Sequence, residues 1–133
     1  MKPSKNTIFL IEDELDIMFI YKTALTTAKL HVEAFSSGKE AMEKIKEVQA
    51  GKREKPKLVL LDLVLPDING LELLYAIRNN DATKDTAVFI LSNYSSDALH
   101  DMTAIKADKI LVKANISADQ LVELVRSQLG LTG

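Results

Sequence analysis

The run Leu58-Val59-Leu60-Leu61-Asp62-Leu63-Val64-Leu65-Pro66-Asp67-Ile68-Asn69-Gly70 decides how this chain is read. Leu58 to Leu61 is apolar without alternation, as expected of a strand buried on both faces in a parallel sheet. It ends abruptly on an acid, Asp62. After the Asn69–Gly70 turn, Leu73, Leu74 and Ile77 begin a helical pattern.

Outward from this segment the same alternation recurs. Ile8 to Ile11, Ala87 to Leu91 and Ile110 to Val112 are further short apolar runs, while His31 to Phe35 alternates and suits a sheet edge. Between them lie helical stripes. Ile17, Ile20, Tyr21, Ala24 and Ala28 form one; Ser37 and Glu40, in capping-box spacing, precede Ala41, Ile45 and Val48. Ala98, Met102 and Ile105 form another, and a second Ser117–Gln120 capping box precedes Ala118, Leu121, Val122, Val125 and Leu129. Five strand–helix units with right-handed crossovers give an α/β fold. The expected form is a flavodoxin-like, doubly wound, five-stranded parallel sheet of order 2-1-3-4-5 with five helices. Its switch point lies between the first and third strands, so function is expected just beyond the strands' carboxyl ends.

Composition narrows the chemistry. The chain has 133 residues, 47% of them hydrophobic and 27% charged, which suits one compact domain spanning residues 1–133, with its core over about 7–129 and a short tail. Seventeen basic against nineteen acidic residues leave a net charge of −2 and no electrostatic reason for nucleic-acid binding. The absence of cysteine excludes a disulfide scaffold, a thiolate nucleophile and cysteine-held metal. No apolar run approaches the ~18 residues of a membrane span or the ~7–15 of a signal-peptide core, so a cytoplasmic location is expected. The basic stretch from Gly51 to Lys57 reads as a solvated connection. His31 and His100 read as surface or locally bonded histidines, and Met18, Met42 and Met102 as packing residues.

Chemistry gathers at the strand ends. Glu12, Asp13 and Glu14 follow the first strand, and Asp62 ends the third. Two carboxylates ~4 Å apart repel by about 4 kcal/mol at an effective dielectric of 20. Converging acids therefore need either a raised pKa or a cation. Oxygen-only ligands in an open cleft favour Mg²⁺, with Mn²⁺ a second option, over zinc or copper. Glu14 is expected in the first turn of the following helix, where the dipole stabilises its charge. Ser92 ends the fourth run and Lys113 the fifth. Anionic nucleophile, metal ligands, hydroxyl and ammonium together suit phosphoryl transfer to a carboxylate.

With these residues in hand, the chain resembles the receiver domains of two-component response regulators, chemotaxis regulators among them, along essentially its whole length. The resemblance is carried by Ile8-Phe9-Leu10-Ile11-Glu12-Asp13-Glu14, by the segment quoted first, by Phe89-Ile90-Leu91-Ser92, and by Lys106-Ala107-Asp108-Lys109-Ile110-Leu111-Val112-Lys113. It implies that Asp62 is the phosphoacceptor. Asp13 would bind Mg²⁺ directly, Glu12 through water, and the Val64 backbone carbonyl would complete the protein ligands. Ser92 would be the switch hydroxyl, Lys113 would pair with the phosphoryl group, and Pro66 and Gly70 would shape the loop. The implied donor is a phosphohistidine on a sensor histidine kinase or histidine phosphotransferase. The implied output is a changed surface on the Met102-bearing helix, the fifth strand and the last helix, read by a downstream protein or output domain. Phosphorylation-dependent homodimerisation is an open option. Such a domain acts only on its own carboxylate, and so is not an enzyme with an outside substrate.

Three departures stand out. Ala114 replaces the family's usual Pro, so the preceding peptide is either trans or held by another contact. Ile110 replaces the usual aromatic ring, and Asn93 replaces a small Ala or Gly, with bulky Tyr94 after it. Val64 and Tyr94 offer no polar group to orient water, which predicts slow loss of the phosphoryl group. A phosphohydrolase of the same chemistry would want a second acid at Val64 and a cap domain. A nucleotide- or flavin-binding module would want a Gly-rich loop after the first strand, where the chain has acids. A scaffold that never takes phosphate remains the third alternative.

Overall fold

The computed structural model describes residues 6–93 and 107–131. Five strands form one parallel sheet: β1 (Thr7–Ile11), β2 (His31–Phe35), β3 (Leu58–Asp62), β4 (Ala87–Ser92) and β5 (Lys109–Val112). Their order is β2-β1-β3-β4-β5, as the alternation predicts. The described helices are α1 (Leu15–Thr27), α2 (Gly38–Gln49), α3 (Gly70–Arg78) and α4 (Ala118–Gln128), with a 3₁₀ turn over Lys113–Asn115. The helical pattern of Ala98, Met102 and Ile105 lies outside the described residues, as do Tyr94 and His100. Among the described helices none is long and apolar enough to cross a membrane.

The unpatterned apolar runs resolve into two faces. Phe9 and Ile11, Val59 and Leu61, and Val88 and Ile90 point into one core, which α2 and α3 cover through Ala41, Ile45, Val48, Leu73, Leu74 and Ile77. Ile8 and Leu10, Leu58 and Leu60, and Phe89 and Leu91 point into the other, covered by α1 and α4 through Tyr21, Leu25, Leu121 and Val125. Register agrees: Phe9 pairs with Val59 and Val59 with Val88, so a face continues from strand to strand. Each such Leu, Ile or Phe side chain, fully buried, contributes roughly 1.5–3 kcal/mol. Met18 and Met42 pack against these cores, and His31 is exposed.

Helix starts follow the sequence with two adjustments. Ser117 and Gln120 form the full capping box of α4, but at α2 only one half is made, Ser37 Oγ accepting from Glu40 N at 3.2 Å. Asn69–Gly70 is not a separate turn. Asn69 caps α3 and Gly70 is its first residue, where a Cβ would meet Leu63 Cα at 2.6 Å. Glycine is needed there for close approach. The basic stretch before β3 is also less free than expected: Arg53 turns inward to Glu33 at 2.5 Å and lies over the Phe9 ring, 5.8 Å from its centroid. The neighbouring Lys52, Lys55 and Lys57 are exposed.

Candidate functional site

The sheet register brings the strand-end residues to one edge. Ile11 pairs with Leu61, so Glu12 and Asp62 emerge side by side; Asp62 pairs with Leu91 and Ser92 with Val112, so Ser92 and Lys113 follow at the next rungs. Glu12 extends the ladder, its N–H donating to Phe35 O at 3.0 Å. Carboxylate oxygens of Glu12, Asp13 and Asp62 lie within 4.8 Å of one another. Glu12, Asp62, Ser92 and Lys113 are buried, while Asp13 is half-buried.

Lys113 is the hinge of this cluster. Its Nζ donates to Asp62 Oδ2 at 2.8 Å, forms an ion pair with Glu12 Oε1, and stands 4.0 Å from Glu14 Oε1. The 3₁₀ turn that begins at Lys113 aims the ammonium back over the edge, and the Lys113–Ala114 peptide is trans. The other oxygen of Asp62 accepts from Val64 N at 3.0 Å. This short Asx-type turn fixes the carboxylate and turns the chain, leaving the Val64 side chain 56% exposed at the rim.

The electrostatics are those of too many acids. Burial, and next the hydrogen bond with Asp62, raise the Glu12 pKa from 4.5 to about 7, with Lys113 pulling the other way. Burial by itself would lower the Lys113 pKa, but the hydrogen bonds to Asp62 and Glu12 and their charges outweigh it and raise it. The Glu12 shift follows chiefly from burial beside a second acid, and the Lys113 shift from one ammonium serving several carboxylates.

The donor set fits a small hard cation. Mg²⁺–oxygen distances of ~2.1 Å put opposite ligands at most ~4.2 Å apart, so the observed cluster needs only slight contraction. All donors are oxygens, and the half-buried Asp13 leaves a route from solvent.

Of the sites expected from sequence, Glu12, Asp13, Asp62 and Lys113 are thus brought together, Ser92 lies buried at the same edge and Val64 borders it. Glu14 is corrected: it is the N-cap residue of α1 rather than part of its first turn, makes no side-chain cap, and faces Lys113. Asp67, which the sequence reading passed over, reaches α2, accepting from Gly38 N and Lys39 N at 2.8 Å each. Those bonds pull its pKa below the usual value. Tyr94 lies outside the described residues, so the paired water-excluding role with Val64 has only one member in view.

Comparison with known proteins gives a consistent result. The chain is 30% identical over 117 residues to the regulatory protein LuxO of Vibrio cholerae, covering 80% of this chain and 24% of that protein. It is 30% identical over 114 residues to the chemotaxis protein CheV2 of Helicobacter pylori, covering 85% of this chain and 36% of that one. It therefore spans about a quarter to a third of the length of these two relatives. With the response regulator receiver protein CpdR of Brucella abortus it is 32% identical over 107 residues, 80% of this chain and 82% of that protein. The crystal structure of the phosphorylated cyanobacterial phytochrome response regulator RcpA superposes with a TM-score of 0.79 at 25% identity, covering 98% of both chains. The model of the response regulator receiver domain matches residues 8–126, and the chain belongs to that family.

Proposed function

We propose that this receiver domain accepts a phosphoryl group on Asp62 in a Mg²⁺-dependent reaction, and that the change is read at the surface of β5 and α4 by a partner. The observation that carries the reading is the bridge made by Lys113 between buried Asp62 and Glu12 within the acidic cluster. An Asp62 carboxylate oxygen attacks phosphorus. The phosphorus–nitrogen bond of the donor phosphohistidine breaks, its electron pair stays on the imidazole, and the product is an acyl phosphate. Lys113 moves from carboxylate oxygen to a phosphoryl oxygen, and the Ser92 hydroxyl donates to another. Bound Mg²⁺ supplies neutralising charge at those oxygens; Asp13, Asp62 and the Val64 carbonyl would hold it, with Glu12 acting through water. The reaction is confined to the chain's own carboxylate. The donor is a histidine kinase or phosphotransferase, and the cytoplasm is the matching compartment.

Incubation with acetyl phosphate and Mg²⁺, followed by intact mass, tests this. Wild type should gain one phosphoryl group, while Asp62→Ala and a chelator-treated sample should gain none. An unmodified wild type, or undiminished labelling of Asp62→Ala, overturns the assignment.

A further inference from the structure

The loop that follows Asp62 is held at two places. At its base, Gly70 N donates to Leu63 O at 3.0 Å and Val64 forms an isolated antiparallel bridge with Asn69. At its tip, Asp67 leaves the loop altogether. Its Oδ1 accepts from Gly38 N at 2.8 Å and from Ile68 N at 3.1 Å, and its Oδ2 from Lys39 N at 2.8 Å. Gly38 and Lys39 open α2, 29 and 28 residues earlier in the chain. A negative carboxylate on these two donors is favoured by the helix dipole. The seat is close-fitting: a Cβ at position 38 would meet Ile68 Cγ1 at 2.2 Å and Cδ1 at 2.7 Å, so any side chain there has to push Ile68 aside.

α2 already has a local cap, Ser37 Oγ accepting from Glu40 N. A second cap supplied from this loop does something the first does not: it ties the loop tip to the helix. Val64, whose carbonyl is proposed above as a direct Mg²⁺ ligand, belongs to the closed base, held by its bridge to Asn69 and its N–H bond to Asp62, while the clasp holds the far end of the same loop. We propose that Asp67 is a positioning residue that, by clasping the loop to α2, holds the Val64 carbonyl for the divalent cation and so sets the affinity of the Glu12–Asp13–Asp62 cluster for Mg²⁺. The proposal rests on the Mg²⁺ reading of the cluster. An unclasped loop leaves the three carboxylates in place but holds the Val64 carbonyl by its base contacts alone, so the fourth donor is less well fixed, which weakens binding without removing it.

The test is calorimetric titration of MgCl₂ at constant ionic strength into wild type, Asp67→Ala, Gly38→Ala and Ser37→Ala. Asp67→Ala should bind about tenfold more weakly, the scale typical of lost outer-shell support. Gly38→Ala, which lifts Ile68 from the helix side, should weaken binding in the same direction. Ser37→Ala should lower the melting temperature and leave the Mg²⁺ affinity at the wild-type value. With acetyl phosphate, Asp67→Ala should need more Mg²⁺ for half-maximal labelling yet reach the wild-type rate at saturation. Unchanged Mg²⁺ affinity in Asp67→Ala overturns the proposal, as does an equal loss in Ser37→Ala, which would mark general weakening of α2. A wild type that binds no Mg²⁺ takes down the underlying reading as well, an outcome distinct from the other two.

Discussion

The two ends of the sheet carry charge in opposite ways. At the amino end Arg53 and Arg78 are both matched. Arg53 meets Glu33 at 2.5 Å and Glu47 at 3.8 Å. Arg78 reaches Asp108 at 3.1 Å while donating to Thr86 O at 2.6 Å and Lys84 O at 3.1 Å. Asp108 in turn accepts from Val88 N at 2.7 Å, tying α3 and the segment before β5 to β4. At the carboxyl end one ammonium faces Glu12, Asp62 and Glu14, with Asp13 beside them. Matched charges close a structure, whereas unmatched buried acids store an affinity for something positive. The first end serves stability and the second is poised for a ligand.

The largest effect should come from removing Lys113, the ammonium that faces the acidic cluster. Lys113→Met strands carboxylates whose side chains are 0% and 4% exposed. Loss of one partner from a buried ion pair costs about 3–5 kcal/mol, because the remaining charge is uncompensated. We expect a loss near the lower bound, since Glu12, with its pKa already at about 7, can take up a proton. Mg²⁺ should restore much of the stability, as any ligand of the folded state does. Urea unfolding with and without MgCl₂ measures both. A loss insensitive to Mg²⁺ would erase the distinction between the two ends.

The same measurement on Asp108→Ala sharpens it. This change removes the side-chain acceptor of the Val88 N–H and one of the acceptors of Arg78. An unsatisfied buried donor costs about 1–3 kcal/mol, and the 43% exposure of the Asp108 side chain argues for about 1–2. Here Mg²⁺ should restore nothing, and labelling by acetyl phosphate should be unaffected. Recovery by Mg²⁺ would mean that the amino end, too, holds cation-seeking charge.

What the sequence disclosed and what it concealed divide along a physical line. Strand positions came out within a residue of the structure because an apolar run bounded by polar residues is a local signal: β2 is His31–Phe35 in both, and β3 and β4 each run one residue further. Convergence of Asp13, Asp62 and Lys113 also followed, since in a parallel sheet of known order the strand ends must meet. Contacts set by the path of a loop were not legible. Asp67 meets Gly38 across 29 residues and Arg53 meets Glu33 across 20, and no periodicity encodes either. Glu14 was misassigned for a related reason. A residue at a helix start can cap it or turn away, and here the pull of Lys113 across the cleft competes with the helix.

The smallest effect tests whether the amino end does nothing but hold the fold. Three helices finish there in the same way, with paired N–H bonds running back to carbonyls three and five residues earlier: Lys29 and Leu30 after α1, Gly51 and Lys52 after α2, and Gly130 and Leu131 after α4. The first residue of each pair sits at positive φ, +75° for Gly51 and +74° for Gly130, where glycine is unstrained, and +68° for Lys29, where a Cβ is not. A left-handed non-glycine residue costs roughly 1–2 kcal/mol, against which glycine's larger unfolded freedom sets about 0.5–1. Lys29→Gly should therefore raise the unfolding free energy by about 0.5–1 kcal/mol, read as a higher urea midpoint at constant slope. Because the strain lies at the far end of the sheet from Asp62, the gain should be equal with and without Mg²⁺, and the labelling rate should not move. A gain that depends on Mg²⁺ would show the two ends to be coupled through α1, whose start carries Glu14 and whose finish carries Lys29.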